Sequence, residues 1–339
     1  MDLISFDDAL EQATQGGRRP HLLLGNGFSI ACRPDCFTYG ALLDEADFEG
    51  ASTDVRAIFA LLGTVDFEKV IEALRFAAAI IEHYDADVAA RARLTADADV
   101  VKEALARVLA AKHPDHVFEI STEEYAVARA FLGPFNKIYT MNYDMLLYWT
   151  LMQDMEPYVA RNDGFGNPDD EAAPYVVWQP YEVTGTQRIH YMHGGLHLYD
   201  SGDELVKVTY SRTQIPIVDQ IRTALNEGRF PLVVTEGTSA EKQSAILHHA
   251  YLTHAIRSFS AIQGSLFVYG HSLADNDAHL LQRIERGKLS DLYVSIFGDP
   301  STHPNQAIES RAQALAAARS PRQPLRVHFF DAESAHVWR

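Results

Sequence analysis

The chain alternates short apolar runs with longer segments of helical periodicity, and this alternation most constrains its fold. The runs end in glycine or polar residues and lie at 21–29, 136–144, 188–195, 231–237, 265–272, 291–299 and 324–332. An apolar run bounded by glycine is typical of a parallel strand that is buried on both faces. Helical patterns at 239–260, 275–287 and 304–319 separate the later runs. This order predicts an α/β fold, with a Rossmann-like, mostly parallel sheet and helices on both faces.

The segment 42–130 differs from the rest of the chain because it contains helical patterns and no convincing strand. Apolar residues recur at helical spacing in 67–74 and in 100–105, and Ala, Glu, Leu and Arg are abundant. We therefore predict that 1–41 and 131–339 together form one core domain. The segment 42–130 is then a helical insertion after the first strand, and it would hang over the carboxyl edge of the sheet.

Composition restricts the class of protein. Lys and Arg total 29 and Asp and Glu total 46, so the formal net charge is −17 at pH 7. A chain this acidic repels phosphate backbones, so we expect no direct nucleic-acid binding, although Gly17, Arg18 and Arg19 could still form a local basic patch. No apolar run is long enough to cross a bilayer, and the N-terminal residues are acidic where a secretory signal needs basic ones. With only Cys32 and Cys36, the chain is expected to be cytoplasmic and free of membrane contact.

The first candidate site is a loop after the first run, formed by Gly25, Asn26, Gly27, Phe28 and Ser29. Ligands of open α/β sheets bind at this end of a strand, where glycine lets the backbone approach phosphates and the next helix presents free N–H groups. The full dinucleotide fingerprint GxGxxG is absent, because Ile30 occupies the third glycine position. The alternative is a tight turn that binds nothing, and this motif alone does not decide between the two.

The second candidate site follows the second run, where Asn142, Tyr143 and Asp144 end the predicted strand. Asn142 and Asp144 are two residues apart, and both project into one crevice if the chain turns there. The Asn142 amide would then fix a ribose hydroxyl or a water, and Asp144 would accept hydrogen bonds from a carboxamide. The alternative is that these residues only cap the following helix, and taken alone the motif favours capping.

The third candidate is His193, which ends the third run and precedes two glycines. Histidine has a pKa suited to general-base work near neutral pH, and the glycines would let a substrate approach closely. A competing interpretation is a metal site formed by His190, His193 and His197. No partner motif such as HExxH accompanies them, so we expect no metal. A histidine that is simply hydrogen-bonded at a strand end is the third interpretation.

The fourth candidate site comprises Gly270, Ser272 and Asp275, which follow the run at 265–272. These residues would offer donors and acceptors to the far half of a nucleotide, or Ser272 or Asp275 would merely cap the next helix. Since the carboxyl ends of parallel strands meet at one edge, the four clusters are expected to converge. Caps alone do not readily produce such a pattern.

In this order the motifs resemble the sirtuin-like superfamily, and most closely its bacterial NAD hydrolases of anti-phage defence. The features shared are a GxGxS loop, a T-x-N-x-D strand end, a strand that closes in His-Gly, and a G-x-S turn. The resemblance implies NAD as the substrate, with Asn142, Asp144 and His193 as catalytic residues. We expect the other contacts with NAD from Gly25, Asn26, Gly27, Phe28, Ser29, Tyr143, Gly270, Ser272 and Asp275.

One departure from the sirtuin deacylases decides the expected reaction. Their four-cysteine zinc module is missing, because no cysteine follows Cys36. Deacylation is therefore in doubt, and water becomes the expected acceptor, which gives nicotinamide and ADP-ribose. The resemblance further implies a toxic effector of abortive infection, gated by homo-oligomeric assembly or by a partner such as a HerA-type translocase ATPase. A non-catalytic sensor of NAD or ADP-ribose is the main alternative, and a protein deacylase is a weaker one.

Overall fold

The computed structural model describes residues 2–84, 87–180, 187–235 and 239–339. Within these ranges the strands are β1 (His21–Leu24), β2 (Ile138–Thr140), β3 (Phe165–Gly166), β4 (Tyr175–Trp178), β5 (Ile189–Tyr191), β6 (Leu198–Asp200), β7 (Leu205–Val208), β8 (Gln263–Tyr269), β9 (Lys288–Ile296) and β10 (Arg326–Asp331). The α-helices before β2 are α1 (Phe6–Thr14), α2 (Gly27–Cys32), α3 (Pro34–Phe37), α4 (Tyr39–Glu45), α5 (Val55–Leu62), α6 (Phe67–His83), α7 (Val88–Lys112) and α8 (Thr122–Leu132). Those after it are α9 (Leu146–Met152), α10 (Tyr210–Thr213), α11 (Ile217–Asn226), α12 (Ser239–Leu247), α13 (Ala250–Ser260), α14 (Ala278–Arg286) and α15 (His303–Ala317). Short 3-10 helices cover Val117–Glu119, Asp275–Asp277 and Glu333–Ala335.

The main sheet has six strands in the order β10-β9-β8-β1-β2-β5, and every neighbouring pair is parallel. When the six strands are numbered by their order in the sequence and read from β5 to β10, their order is 3-2-1-4-5-6, which is the order of the Rossmann fold. Helices flank the sheet: α1 and α15 pack against β10, and α13 packs against β5. The predicted α/β class and the mostly parallel, Rossmann-like sheet are confirmed.

The central strands are buried on both faces, which explains why they consist of continuous apolar runs. All four residues of β1 are buried, and Leu22, Leu23 and Leu24 have no exposed surface. Covering helices remove both faces from water, so these strands have no polar alternation. Each fully buried leucine contributes about 1.5–3 kcal/mol of transfer free energy to this core.

The apolar run at 231–237 does not become a strand of either sheet over its described residues. Val233 makes one isolated bridge, and residues 236–237 lie outside the described part of the chain. The segment pairs instead with the loop after β5, because the backbone N–H of Val234 donates to the carbonyl oxygen of His193 at 2.9 Å. The prediction of a strand there was wrong, and the segment buttresses the histidine loop. A separate antiparallel sheet has the order β3-β4-β7-β6.

Residues 42–84 and 87–130 are helical with no strand, as expected for the insertion. The predicted limits at 42 and 130 fall inside α4 and α8, so the helical region extends slightly beyond them on both sides. The buried side chains of the insertion, such as Phe59, Phe67 and Leu105, belong to the same hydrophobic core as the sheet. Among the described helices, none combines the length and the apolar character needed to span a membrane.

The strand order reverses between β1 and β8, and at this point the loops that follow the two strands touch through their backbones. The backbone N–H of Gly25 donates to the carbonyl oxygen of Tyr269, and that of Gly27 donates to Gly270, both at 2.9 Å. A Cβ atom on Gly27 would lie 2.4 Å from the Cα atom of Gly270. Gly270 itself has φ of +68°, in the left-handed region that favours glycine. Glycine is therefore required on both sides of this contact.

Gly27→Ala should lower the free energy of unfolding by about 1–3 kcal/mol, because the added methyl group overpacks the contact with Gly270. Gly40 is the matched control, since it lies in α4 and no heavy atom comes within 4 Å of its Cβ position. Gly40→Ala should instead raise the free energy of unfolding by about 0.5–1 kcal/mol. Urea denaturation measures both values, and equal stability of the two variants would contradict the packing argument.

Candidate functional site

A cleft of about 930 Å³ opens at the carboxyl edge of the parallel sheet. Its walls include residues at or just beyond the ends of all six strands of that sheet, so it lies over the point where the strand order reverses. Open α/β sheets bind their ligands at this position. Most of the predicted site residues line the cleft: Gly25, Asn26, Gly27, Asn142, Tyr143, Asp144, His193, Gly270 and Ser272.

Three predicted contacts lie outside the lining of the cleft. Phe28 is buried behind it, where its ring packs on Trp338 with centroids 5.1 Å apart. Ser29 is fully buried and lies behind the cleft wall, where its hydroxyl bonds Asn142 and Asp144. Asp275 is exposed, and Asp277 lines the cleft in its place, because the 3-10 helix Asp275–Asp277 turns the second acid inward.

Most backbone N–H groups of the glycine loop are already bonded within the protein, so they are not the free donors that we expected. The backbone N–H of Phe28 donates to the carbonyl oxygen of Gly25 at 3.1 Å, and that of Ser29 donates to Asn26 at 3.0 Å. The N–H of Gly27 is taken by the neighbouring loop, as described above. Since α2 has only six residues and its first amides are already bonded, a phosphate in the cleft would need other donors.

Ser29 joins Asn142 to Asp144. Its hydroxyl donates to Asp144 Oδ2 at 2.5 Å and accepts from Asn142 Nδ2 at 2.9 Å. Burial raises the pKa of Asp144, and the hydrogen bond from Ser29 opposes that shift. Asp144 Oδ1 also accepts from the backbone N–H of Leu146 at 2.9 Å, at the start of α9. Asp144 therefore fastens the following helix and also lines the cleft, so the helix contact does not remove it from the cleft wall.

His193 forms part of the cleft wall with only 1% of its surface exposed. Its Nε2 atom lies 3.1 Å from Nε2 of His279 and 3.9 Å from Oδ1 of Asp277. Burial, followed by the charge of Lys242, holds the pKa of His193 well below its ordinary value, so the ring is neutral at neutral pH. A neutral imidazole can accept a proton, but the lowered pKa makes His193 a weaker base than the histidine near neutral pH that we expected from the sequence. Nε2 faces His279, and no described residue bonds Nδ1, so Nδ1 is the ring nitrogen that a ligand would have to reach.

A buried ion network that the sequence did not indicate lies against His193. The ammonium of Lys242, which has no exposed surface, contacts Glu68 Oε2 at 2.6 Å and Asp277 Oδ1 at 3.2 Å. Burial would lower the pKa of Lys242, but the charges of the two carboxylates outweigh it and raise the pKa. Tyr143 joins the network by donating its hydroxyl to Glu68 Oε1 at 2.9 Å. Glu68 belongs to α6, so the insertion supplies part of the site.

The network also fixes His271, which sequence reasoning did not single out. His271 Nδ1 accepts from the backbone N–H of Leu273 at 3.0 Å, so its Nε2 donates to Asp277 Oδ2 at 3.0 Å. Burial would raise the pKa of Asp277, but the hydrogen bond from His271 and the charge of Lys242 lower it below its usual range. Asp277 therefore carries a charge near His193.

The three histidines that we considered as a metal site do not converge. His190 lies on the opposite face of β5, where its Nε2 is 3.1 Å from Oγ of Ser258. His197 is buried against the ring of Tyr191, at a centroid distance of 4.8 Å. The side chains of His190, His193 and His197 thus lie in three separate environments.

A different group does bring ligand atoms together: those of His193, Asp277 and His279 all lie within 4.8 Å of one another. Two histidines and a carboxylate are suitable metal ligands. The ammonium of Lys242 already lies 3.2 Å from Asp277, however, so this carboxylate has a positive partner without a metal, although Lys242 also pairs with Glu68. We therefore retain the expectation that the site works without a metal.

Removal of divalent ions with EDTA should leave the melting temperature unchanged, because the ammonium of Lys242 already pairs with Asp277. Elemental analysis of the purified protein and thermal unfolding with and without EDTA measure this. Destabilisation by EDTA that zinc reverses in the wild type, but not in His279→Ala, would instead place a metal at His193, Asp277 and His279.

Comparison of the sequence with curated proteins finds no match. A family model does match, from β1 through the insertion and the rest of the sheet to Trp338, so the cleft and the insertion fall within one family unit. The chain belongs to the family described as domain of unknown function (DUF4917), whose model matches residues 22–338.

Proposed function

We propose that this protein is an NAD glycohydrolase that cleaves NAD to nicotinamide and ADP-ribose. The observation that carries the proposal is the meeting of Asn142, Asp144 and His193 in the wall of one cleft. These residues follow β2 and β5, two adjacent strands of a sheet with the Rossmann order. Dinucleotides bind at the strand reversal of such sheets, and a volume of about 930 Å³ is adequate for a ligand of this size.

The reaction breaks the bond between nicotinamide and C1′ of the ribose, and water adds to that carbon. Nicotinamide leaves as a neutral molecule from a cationic substrate, so no acid has to protonate it. Positioning and one base therefore suffice. The neutral His193 accepts the proton that the ribose hydroxyl or the water gives up, and solvent finally takes it.

Asn142 and Asp144 position the reacting groups. The amide nitrogen of Asn142 is bonded to Ser29, which leaves the amide oxygen for a ribose hydroxyl or the water. Each oxygen of Asp144 already accepts one hydrogen bond, and a carboxylate oxygen has a second lone pair for the carboxamide of nicotinamide. Both side chains are buried, so their hydrogen bonds act in a medium that screens them little.

A second candidate is a non-catalytic subunit that binds NAD or ADP-ribose. The deep burial of His193, and its contact with His279, favour this alternative because a ligand would reach only one edge of the ring. A protein deacylase gains no support, since Cys32 and Cys36 are free thiols and burial raises the pKa of Cys32 to about 12.

His193→Ala should reduce nicotinamide release from NAD by about a hundredfold to ten-thousandfold, as expected for loss of a general base. Asn142→Ala should lower kcat strongly with little change in the Kd for NAD. Liquid chromatography of nicotinamide measures cleavage, and thermal unfolding checks that each variant is folded. His248→Ala and Asn226→Ala are matched controls, because both side chains are exposed and lie outside the cleft lining.

Wild-type turnover in His193→Ala would refute the assignment of the base. Tight NAD binding without cleavage in the wild type, unaffected by assembly, would support the sensor instead. Unchanged kinetics in Asn142→Ala would indicate that the segment after β2 only caps the following helix.

We place this activity, as the resemblance to defence NAD hydrolases suggests, in a cytoplasmic effector of abortive infection. Free hydrolysis of cellular NAD is toxic, so assembly or a partner such as a HerA-type translocase ATPase would gate it. Two observations support a role for the insertion in this gating. Leu42, Glu68 and Leu105 bring it to the cleft wall, and Phe76 and Ile80 are exposed on one side of α6.

Phe76→Glu combined with Ile80→Glu should disperse a homo-oligomer and lower NAD cleavage, because both residues are exposed and lie four positions apart on α6. Light scattering measures the mass, and nicotinamide release measures the activity. Ile215→Glu is the control, since it adds a charge at an exposed apolar position outside the insertion. A dispersed yet fully active double variant would rule the gating out and leave the insertion as a passive cover.

A further inference from the structure

A second cavity, of about 420 Å³, lies at the opposite edge of the parallel sheet from the cleft. Its lining comes from the amino ends of β1, β2 and β8 and from the end of α13. Strand β1 is four residues long, so it separates this cavity from the glycine loop by roughly 13 Å. We call this cavity the basic pocket, and the residues that matter here are Arg18, Arg19, His21, Asn136, Lys137 and Ser258.

Among the residues that the structure describes, no acidic side chain balances the positive charge of the basic pocket. Arg18, Arg19 and Lys137 line it, and Arg188 lies beside it and donates to Oδ1 of Asn136. Within the described ranges, these four cations form no ion pair with a carboxylate. The described lining contains no Asp or Glu, although the whole chain has a net charge of −17. An anionic ligand would supply the missing charge.

Hydrogen-bond donors remain available in the basic pocket. Lys137 Nζ donates to Oγ of Ser258 at 2.8 Å and keeps further ammonium hydrogens. Arg19 uses Nε and Nη2 on the carbonyl oxygens of Pro134 and Gly133, which leaves Nη1. The guanidinium of Arg18 is exposed and makes no hydrogen bond to any residue that the structure describes. These donors surround one concave space.

His21 adds a buried polar group without a partner. Its side chain is 6% exposed, and its Nδ1 atom has no hydrogen-bond partner in the part of the chain described. Burial, followed by the charges of Lys137 and Arg188, lowers the pKa of His21 to about 4. Burial and the charge of Arg188 also lower the pKa of Lys137. The cations therefore repel one another, and an anion would relieve that repulsion.

We propose that the basic pocket binds a small anion that carries a phosphate group. The planar fork of arginine and the ammonium of lysine are the side chains that suit phosphate oxygens best. A concave space of about 420 Å³ fits a small molecule, whereas the acidic surface of the chain repels a long polyanion. Arg19 is held in place by its hydrogen bonds to the carbonyl oxygens of Gly133 and Pro134, just after α8. These bonds do not explain why Arg18, Lys137 and His21 lie in the same pocket.

Isothermal titration of the full chain with inorganic phosphate tests the proposal, at constant ionic strength with chloride as the balancing anion. Saturable binding at one site is expected. Arg18→Ala and Lys137→Gln should each weaken it by about tenfold or more, since each removes a charge-assisted donor. Arg322→Ala is the matched control, because this arginine is exposed and lies outside the pocket lining. Arg18 is exposed and bonds no side chain or backbone group in the described part of the chain, so Arg18→Ala should fold and still test the proposal if Lys137→Gln does not fold.

Absence of binding beyond the chloride background would overturn the proposal, and so would binding that both variants leave unchanged. Ribose 5-phosphate should bind at least as well as inorganic phosphate and show the same dependence on Arg18. Tighter binding of a short single-stranded oligonucleotide than of ribose 5-phosphate would overturn it in favour of a nucleic-acid contact. The readout does not involve NAD, so the result is independent of the proposed hydrolysis.

Discussion

The backbone contact between the loops after β1 and β8 determines the position of the rest of the cleft. Gly27 and Gly270 approach so closely that neither has room for a side chain. The contact brings α2 directly against the crossover of the sheet, and this position allows the hydroxyl of Ser29 to reach both Asn142 and Asp144. The glycines of the GxGxS motif thus serve the packing of two loops against each other.

The ammonium of Lys242 ties the insertion to the sheet. Glu68 comes from α6, Asp277 follows β8, and Tyr143 follows β2, yet all belong to one buried hydrogen-bonded group. Removal of one partner from a buried ion pair typically costs about 3–5 kcal/mol, because the other charge is left without compensation. A shift of α6 would therefore move Glu68 away from Lys242 and change the electrostatic environment of His193. The insertion and the candidate site are structurally coupled in this way.

The sequence predicts those parts of the molecule whose environment leaves a local pattern. Strand β1 is identifiable because burial on both faces produces an apolar run that glycine ends, and Asn142 and His193 are identifiable because parallel strands end at one edge. The run at 231–237 is also apolar and also ends in glycine, but the backbone of its described residues pairs with a loop, and the local sequence does not show this difference. Glu68 and Lys242 are 174 residues apart and occupy ordinary helical positions, so only the tertiary fold brings them together.

The chain of hydrogen bonds through Ser29 has a direction. A charged Asp144 only accepts, so the single hydroxyl proton of Ser29 points to it, and the lone pairs of Ser29 must then receive the amide hydrogen of Asn142. The orientation of that amide is fixed as a result, with its oxygen turned away from Ser29. In the proposed function Asn142 would therefore select a group that brings its own proton, a hydroxyl or a water, over a bare carbonyl or ether oxygen. The buried hydroxyl of Ser29 thus determines that the Asn142 side chain presents a hydrogen-bond acceptor, rather than a donor, on this side of the cleft.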